Sequence, residues 1–197
     1  MSGVSEACVE RTLGQTLPHF LVEPSYLRKV KERGAIWRFT MKSLNELFEH
    51  TLQDVYYAEN AITKALPKVA KAAKSSELKK VAEEHLGETK DQIKKLEAVF
   101  KSIGKKPEGE KCDAIEGLIK EADGLMDEAS GTALDAGLLA ACQAVEHYEI
   151  ARYGSLREWA KLLGHEEAHN LLGEILDQEK AANSKLTNLA VSKVNKK

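Results

Sequence analysis

Two carboxylates occupy helix positions that normally hold apolar residues. Glu146 and Glu149 fall in a stripe that steps by three and four residues through Leu139, Cys142, Glu146, Glu149, Tyr153, Leu156 and Ala160. This spacing places every member on one face of one helix. Ionised carboxylates on a buried face cost several kcal/mol each unless a cation or hydrogen-bond donors compensate them. The segment therefore predicts either a cation site or a buried polar network.

Three other helical stripes contain the same kind of exception. Glu59 is the one charged residue in a stripe that runs from Leu44 to Ala73. His85, Glu88 and Gln92 are consecutive polar positions in a second stripe from Leu78 to Val99. Glu179 is a single charge in a third stripe from Leu172 to Leu189. Four helices are thus each predicted to turn a carboxylate inward.

The predicted depths of these carboxylates agree. Short turns join helices one and two and helices three and four, so each pair is expected to pack antiparallel. At about 1.5 Å of rise per residue, Glu59 and Glu88 lie roughly 22 and 18 Å from their shared turn. By the same rule, Glu149 and Glu179 lie roughly 21 Å from the turn at Gly164. We therefore expect one carboxylate cluster at mid-bundle.

Several carboxylates in one place repel one another, and a pair of metal ions removes that repulsion. Ferritin-like bundles hold two metals with carboxylates and Glu-x-x-His pairs on facing helices. The predicted ligands are Glu59, His85, Glu88, Glu146, Glu149 and Glu179. Gln92, His147 and Tyr153 are predicted to hydrogen-bond to those ligands rather than to bind metal. Iron or manganese is expected, with two ions; a metal-free polar network that sets helix register is the alternative.

Composition and charge exclude several classes of protein. The 197 residues carry a net charge of −2, which argues against nucleic acid or an anionic membrane surface as a partner. No apolar run approaches the roughly 18 residues of a membrane span. Three cysteines without metal-ligand spacing indicate a reducing cytoplasm. Sparse aromatic residues with abundant Ala, Leu, Lys and Glu predict an all-α fold. With the four stripes and the short turns, the expected architecture is an antiparallel four-helix bundle over 41–191, with a short fifth helix in the long connection between helices two and three.

Local signals set the expected boundaries. Ser43 with Glu46, and Thr132 with Asp135, are predicted to cap helices one and three. Pro67 is expected to bend the first helix, and a close helix crossing would account for Gly154. Residues 1–40 lack a sustained helical period, apart from a short helix expected over 26–33; they form a loose extension, or else Met41 is the true start. Residues 192–197 are predicted to be a frayed basic tail.

Four stretches carry a resemblance to a known family. LFEHTLQDVYYAE, HLGETKDQIKKLE, DAGLLAACQAVEHYEIARYG and LLGEILDQEKAANSKL resemble the YciE/YciF family of ferritin-like bacterial stress proteins. The resemblance covers Met41 to about Val191, and it implies a five-helix ferritin-like fold, a homodimer and similarity to rubrerythrin-type di-iron proteins. The chain departs from the usual Glu-x-x-His pattern. Helix two reads His85-x-x-Glu88, and Ala182 follows Glu179, so at least one imidazole is missing.

Two functional hypotheses follow from the sequence. The first is a di-iron oxidoreductase of ferroxidase or rubrerythrin type that protects the cell under stress, with about two metals per chain. The second is a metal-free dimeric bundle with a structural or protein-interaction role. Loss of metal from a Glu59 or Glu146 variant separates the two.

Overall fold

The structure, a computed structural model, describes residues 41–195. Five α-helices follow one another in this range: α1 (Leu44–Ala72), α2 (Ser76–Ser102), α3 (Asp113–Glu128), α4 (Gly131–Leu162) and α5 (Glu166–Leu189). No strand occurs among these residues. The predicted all-α bundle is therefore confirmed, with α3 as the short fifth helix in the long connection. Both expectations for residues 1–40, the short helix and the start at Met41, lie outside the described residues.

The helix pairs pack as the short turns predicted. Helices α1 and α2 pack together, as do α4 and α5, and α2 also lies against α5. The short helix α3 packs on α4 and α1, on the outside of the bundle. None of the helices within 41–195 is long and apolar enough to cross a membrane.

A glycine follows the end of each of α2 and α4. Gly104 and Gly164 have φ of +71° and +76°, the left-handed conformation that glycine adopts without strain. The amide of Lys105 donates to the carbonyl of Phe100 at 2.9 Å, and His165 donates to Ala160 at 2.8 Å. This six-to-one bond is the Schellman motif. After Gly164 it reverses the chain within a few residues, which sets α4 and α5 antiparallel.

The two predicted caps have different outcomes. Ser43 Oγ accepts a hydrogen bond from the amide of Glu46 at 3.2 Å, as expected. The Glu46 carboxylate, however, accepts from the amide of Lys42 at 2.6 Å, one residue before the predicted partner. The cap at Thr132 is wrong, because α4 begins at Gly131 and Asp135 points elsewhere.

Asp135 is buried and holds the α1–α2 turn. Its Oδ1 accepts from the amide of Lys74 at 2.7 Å, and its Oδ2 accepts from the amide of Ser75 at 2.8 Å. Both amides lie in the turn just before Ser76, the first residue of α2, where the helix provides no acceptor. The side chain therefore ties the start of α4 to the turn between the first two helices.

Three further local expectations have different outcomes. Helix α1 runs without a break through Pro67, so this proline does not end the helix. A Cβ added at Gly154 would meet nothing within 4 Å, so a close helix crossing does not explain this glycine. After α5 a π-helical turn continues from Ala190 to Val194, and Val194 is buried. The tail that was predicted to fray is therefore helical as far as Val194, and the prediction is wrong for these residues.

The core consists of two apolar clusters. One contains Phe48, Leu52, Val99, Leu156 and Ile175, and we call it the Phe48 cluster. The other lies beneath α3 and contains Ile62, Leu78, Ile115, Leu138 and Leu186; we call it the α3-covered cluster. Apart from Thr51 and Asp135, the buried polar residues on α1, α2, α4 and α5 lie where one cluster gives way to the other along each helix.

Candidate metal centre

Four buried carboxylates meet between the two apolar clusters. Glu59 comes from α1, Glu146 and Glu149 come from α4, and Glu179 comes from α5. None is more than 2% exposed. Each occupies a position of the apolar stripe of its helix, so the packing that buries the neighbouring leucines also buries the carboxylate. The structure thus brings together four of the five predicted carboxylate ligands.

His85 of α2 completes the group. One ligand atom from each of His85, Glu146, Glu149 and Glu179 lies within 4.8 Å of all the others. His85 Nε2 is 3.4 Å from Glu146 Oε1, and the opposite ring nitrogen, Nδ1, is 3.4 Å from Glu88 Oε2. The imidazole therefore presents one nitrogen to the buried group and the other to a carboxylate outside it.

Glu59 lies beside this four-residue group. Its Oε1 accepts a hydrogen bond from the hydroxyl of Tyr153, and its carboxyl group is within hydrogen-bonding range of Glu149. Tyr153 is fully buried, so the bond orients the Glu59 carboxylate from within the core. The predicted role of Tyr153 as a hydrogen-bonding partner fits this position.

Gln92 holds the carboxylate on the opposite side. Its amide nitrogen donates to Glu179 Oε1, and both side chains are buried. Glu179 is in turn within hydrogen-bonding range of Glu146. Gln92 therefore fixes one oxygen of Glu179, as Tyr153 fixes one oxygen of Glu59.

The second oxygen of every one of these carboxylates lacks a partner. Oε2 of Glu59, Glu146, Glu149 and Glu179 is buried without a hydrogen bond among the described residues. A buried polar atom in this condition costs about 1–3 kcal/mol, and a charged one costs more. Four such oxygens in one place indicate a missing cation or missing protons.

Burial and the charges of neighbouring carboxylates raise the pKa values of three of these side chains, Glu59, Glu146 and Glu149. Burial, followed by the charge of Glu179, raises the pKa of Glu59 to about 8. Burial and the adjacent Glu179 raise the pKa of Glu146 to about 10. Burial also raises the pKa of Glu149 well above its usual range, with Glu59 as the next cause. Without a cation these carboxyl groups therefore retain protons near neutral pH.

Two predicted site residues lie outside the buried group. The Glu88 side chain is 38% exposed and is 3.9 Å from Lys185 Nζ. The inward position belongs to the next residue, Thr89, whose hydroxyl donates to the carbonyl of His85 at 2.9 Å. The side chain of His147 is exposed and faces away from the group. The prediction that Glu88 binds metal and that His147 supports a ligand does not match this arrangement.

The residues present fit a metal ion. Carboxylate oxygen and imidazole nitrogen are the donors that iron, manganese and zinc take in proteins. Among residues 41–195 no lysine or arginine forms an ion pair with the four buried carboxylates. Positive charge for this cluster must therefore come from a bound cation, from protons or from His85.

Comparisons with known proteins agree with this fold. The family described as a domain of unknown function, DUF892, matches residues 43–197. Protein YciF of Escherichia coli K12 is 44% identical over 159 residues, which are 80% of this chain and 96% of that protein.

Two solved structures are similar to the chain. The crystal structure of the E. coli stress protein YciF has a TM-score of 0.76 and 44% identity, covering 80% of this chain and all of that one. YcfI of Rhodopseudomonas palustris, described as a candidate structural protein, has a TM-score of 0.74 and 49% identity over 77% of this chain and 97% of that one. Because the family match spans residues 43–197 and YciF is 44% identical over most of both chains, this chain belongs to the DUF892 family. The resemblance to the YciE/YciF family seen in the sequence is thereby confirmed.

Proposed function

We propose that this protein binds iron or manganese at the mid-bundle carboxylates and uses it in redox protection during stress. The observation that supports the proposal most strongly is the set of four buried carboxylate oxygens without a partner, beside an imidazole nitrogen. The ligands would be His85, Glu146, Glu149 and Glu179, with Glu59 completing the set. The description of YciF as a stress protein is consistent with such a role.

The environment of His85 supports metal binding. A histidine that binds metal usually donates its other ring N–H to a carboxylate, which fixes the tautomer and makes the free nitrogen a better ligand. Here Nδ1 lies 3.4 Å from Glu88, and Nε2 points to the carboxylate group. Glu88 thus retains a part in the proposed site, as the residue that orients the ligand.

Charge favours two ions. Four ionised carboxylates carry four negative charges, and two divalent cations balance them with His85 neutral. Held by these residues, a metal pair would supply redox chemistry: iron would provide the two electrons that, with two protons, convert dioxygen to hydrogen peroxide, and iron or manganese would allow two peroxide molecules to dismutate to dioxygen and two waters. Tyr153 and Gln92 would keep one oxygen of Glu59 and one of Glu179 in place throughout.

Elemental analysis tests this proposal. Protein would be purified from cells supplied with iron and with manganese, and metal per chain would be measured together with that of Glu59→Gln and Glu146→Gln. We expect about two metals per chain in the unaltered protein, and loss of metal in both variants because each removes a buried charge. Glu83→Gln changes an exposed residue of α2 and serves as the control.

Absence of metal from every preparation would overturn the proposal. Incubation of purified protein with Fe(II) or Mn(II), followed by desalting, separates a site that lost its metal from one that never bound it. Retention in the control and loss in both glutamate variants is the pattern that supports binding at the cluster.

One observation favours a second candidate function. The carboxyl groups pair as Glu59 with Glu149 and Glu146 with Glu179, each within hydrogen-bonding range, so shared protons would also satisfy part of the cluster. In that state the chain would be a metal-free homodimeric bundle with a structural or interaction role in stress. This candidate predicts no bound metal and an unchanged melting temperature when a chelator is added.

A further inference from the structure

A cavity of about 50 Å³ adjoins the carboxylate cluster. It lies in the α3-covered cluster, and all five helices contribute to its wall. Fifteen of the nineteen lining side chains are apolar, among them Ile62, Leu78, Val145 and Leu186. The four polar ones are His85, Glu88, Glu146 and Lys185, so two residues of the proposed metal site form part of the wall.

We propose that this cavity is a binding chamber for dioxygen, from which the molecule reaches the carboxylate cluster. The identity of the occupant as a substrate rests on the proposed redox function. The ability of the cavity to hold a small apolar molecule rests on its walls alone.

Size selects a molecule of very few atoms. A cavity needs roughly 10–15 Å³ to hold one water-sized sphere, and an engineered cavity of about 150 Å³ holds benzene. The space here is about 50 Å³, between these two values. A diatomic molecule fits this space, which is too small for a ring.

The mostly apolar wall of the cavity disfavours metal ions and hydrogen peroxide as occupants. A hydrated metal ion would have to exchange its water for alanine, leucine and isoleucine side chains, which is very costly. Hydrogen peroxide would lose its hydrogen bonds over most of this wall, at a cost of several kcal/mol. Dioxygen has no hydrogen bonds to lose and prefers an apolar environment to water. The metal ions would therefore arrive by another route.

The cavity lies directly beside the proposed metal site. Ile62 and Leu66 on α1, Ala141 and Val145 on α4, and Leu118 on α3 line the same space as His85 and Glu146. The outer wall is α3, in which only Ile115 is fully buried. A helix with so little buried surface opens more readily than the core helices, which gives a small molecule a way in.

Relaxation of methyl resonances tests binding without any metal. Metal-free protein with labelled isoleucine δ1 methyl groups would be equilibrated with nitrogen and then with dioxygen, which is paramagnetic and shortens the relaxation of nearby nuclei. Ile62 is 3% exposed and lines the cavity, whereas Ile175 is fully buried in the Phe48 cluster. We expect the enhancement at Ile62 to exceed that at Ile175 several-fold.

Filling the cavity provides the matched variants. Ala141→Leu adds three carbon atoms at the cavity wall, and Ala140→Leu makes the same change on the exposed side of the same helix. We expect Ala141→Leu to abolish the excess enhancement at Ile62, and Ala140→Leu to retain it. If Ala141→Leu fails to fold, Ala122→Leu fills the cavity from α3.

The outcomes separate this inference from the proposed function. Equal enhancement at Ile62 and Ile175 would overturn the chamber even if metal binds at the cluster. A localised enhancement in a protein that never binds metal would leave the chamber in place and remove its redox purpose. With both correct, Ala141→Leu binds Mn(II) with unchanged stoichiometry, while its oxidation of Fe(II) in air slows several-fold.

Discussion

The two apolar clusters on either side of the carboxylates are packed differently. No buried member of the Phe48 cluster is more than 4% exposed, and its rings make ordered contacts, such as the edge-on pair of Tyr56 and Phe100 with centroids 5.6 Å apart. In the α3-covered cluster six buried members are 6–8% exposed, and alanines and aliphatic side chains surround a cavity. The comparison suggests that one half supplies stability while the other leaves room for a small molecule.

The largest effect is expected in the Phe48 cluster. Phe48→Ala removes a fully buried ring and should lower the free energy of unfolding by about 3–5 kcal/mol. Leu118→Ala truncates a half-buried side chain at the cavity and should cost less than about 1 kcal/mol. Urea denaturation followed by circular dichroism measures both. Equal losses would show that the two halves are packed equally well.

The buried carboxylates between the two clusters should make the free energy of unfolding depend on pH. The folded pKa values of Glu59 and Glu146, about 8 and about 10, lie above the ordinary value of 4.5. Groups with raised folded pKa values stabilise the protein below the unfolded pKa, and this contribution is lost as pH rises through the folded pKa. Chelated protein should therefore lose on the order of a few kcal/mol between pH 5 and pH 10.

The control for this pH profile is Glu146→Gln, which removes one of the titrating groups and should flatten the decline. Denaturant titrations of chelated protein at a series of pH values supply the measurement. Bound metal should reverse the trend, because metal displaces protons from its ligands and binds more tightly as pH rises. A flat profile in the chelated, unaltered protein would contradict the raised pKa values.

Asp135 should matter more than the residue predicted to cap α4. Asp135→Ala leaves two backbone amides without their acceptor and should cost about 1–3 kcal/mol. Thr132→Ala changes an exposed side chain and should alter stability by less than about 0.5 kcal/mol. Thermal or urea denaturation of the two variants makes the comparison. A larger loss of stability from Thr132→Ala than from Asp135→Ala would show that Thr132 caps α4 after all.

The smallest expected effect is a gain. Gly154→Ala should raise the free energy of unfolding by about 1 kcal/mol, because glycine weakens a helix interior and the added methyl group meets nothing within 4 Å. Gly164→Ala is the opposite case, since its φ of +76° strains any side chain and should cost about 1–2 kcal/mol. The two alanines should therefore shift the denaturation midpoint in opposite directions.

Sequence periodicity predicted the helices and most of the buried group, and its errors have physical causes. Glu59, Glu146, Glu149 and Glu179 follow from stripes whose other members are strongly apolar. Helix α2 offers only a few apolar residues to fix its rotation, so Glu88 and Thr89 matched a helical stripe equally well. The burial of Thr89 and of Ala82, two turns earlier on the same face, depends on how α2 packs in the bundle, which the local pattern does not determine.

Contacts between distant parts of the chain could not be predicted from the sequence pattern. Asp135 stands three residues after Thr132, the spacing of a local cap, whereas its actual partners are 60 and 61 residues away. The cavity likewise depends on how five helices leave space between them, and no local pattern encodes that volume. His147 shares its motif with Glu146 yet points outward, because adjacent residues lie about 100° apart around a helix.

The hydrogen bonds of Asp135 also bear on how the chain folds. The hairpin of α1 and α2 is complete in sequence by residue 102, but two amides of its turn find their acceptor only when α4 arrives. The first hairpin is therefore an unfinished unit during synthesis, and its turn closes through a contact of high sequence separation. Assembly of the two helix pairs should be cooperative, with the α1–α2 turn reaching its final form late.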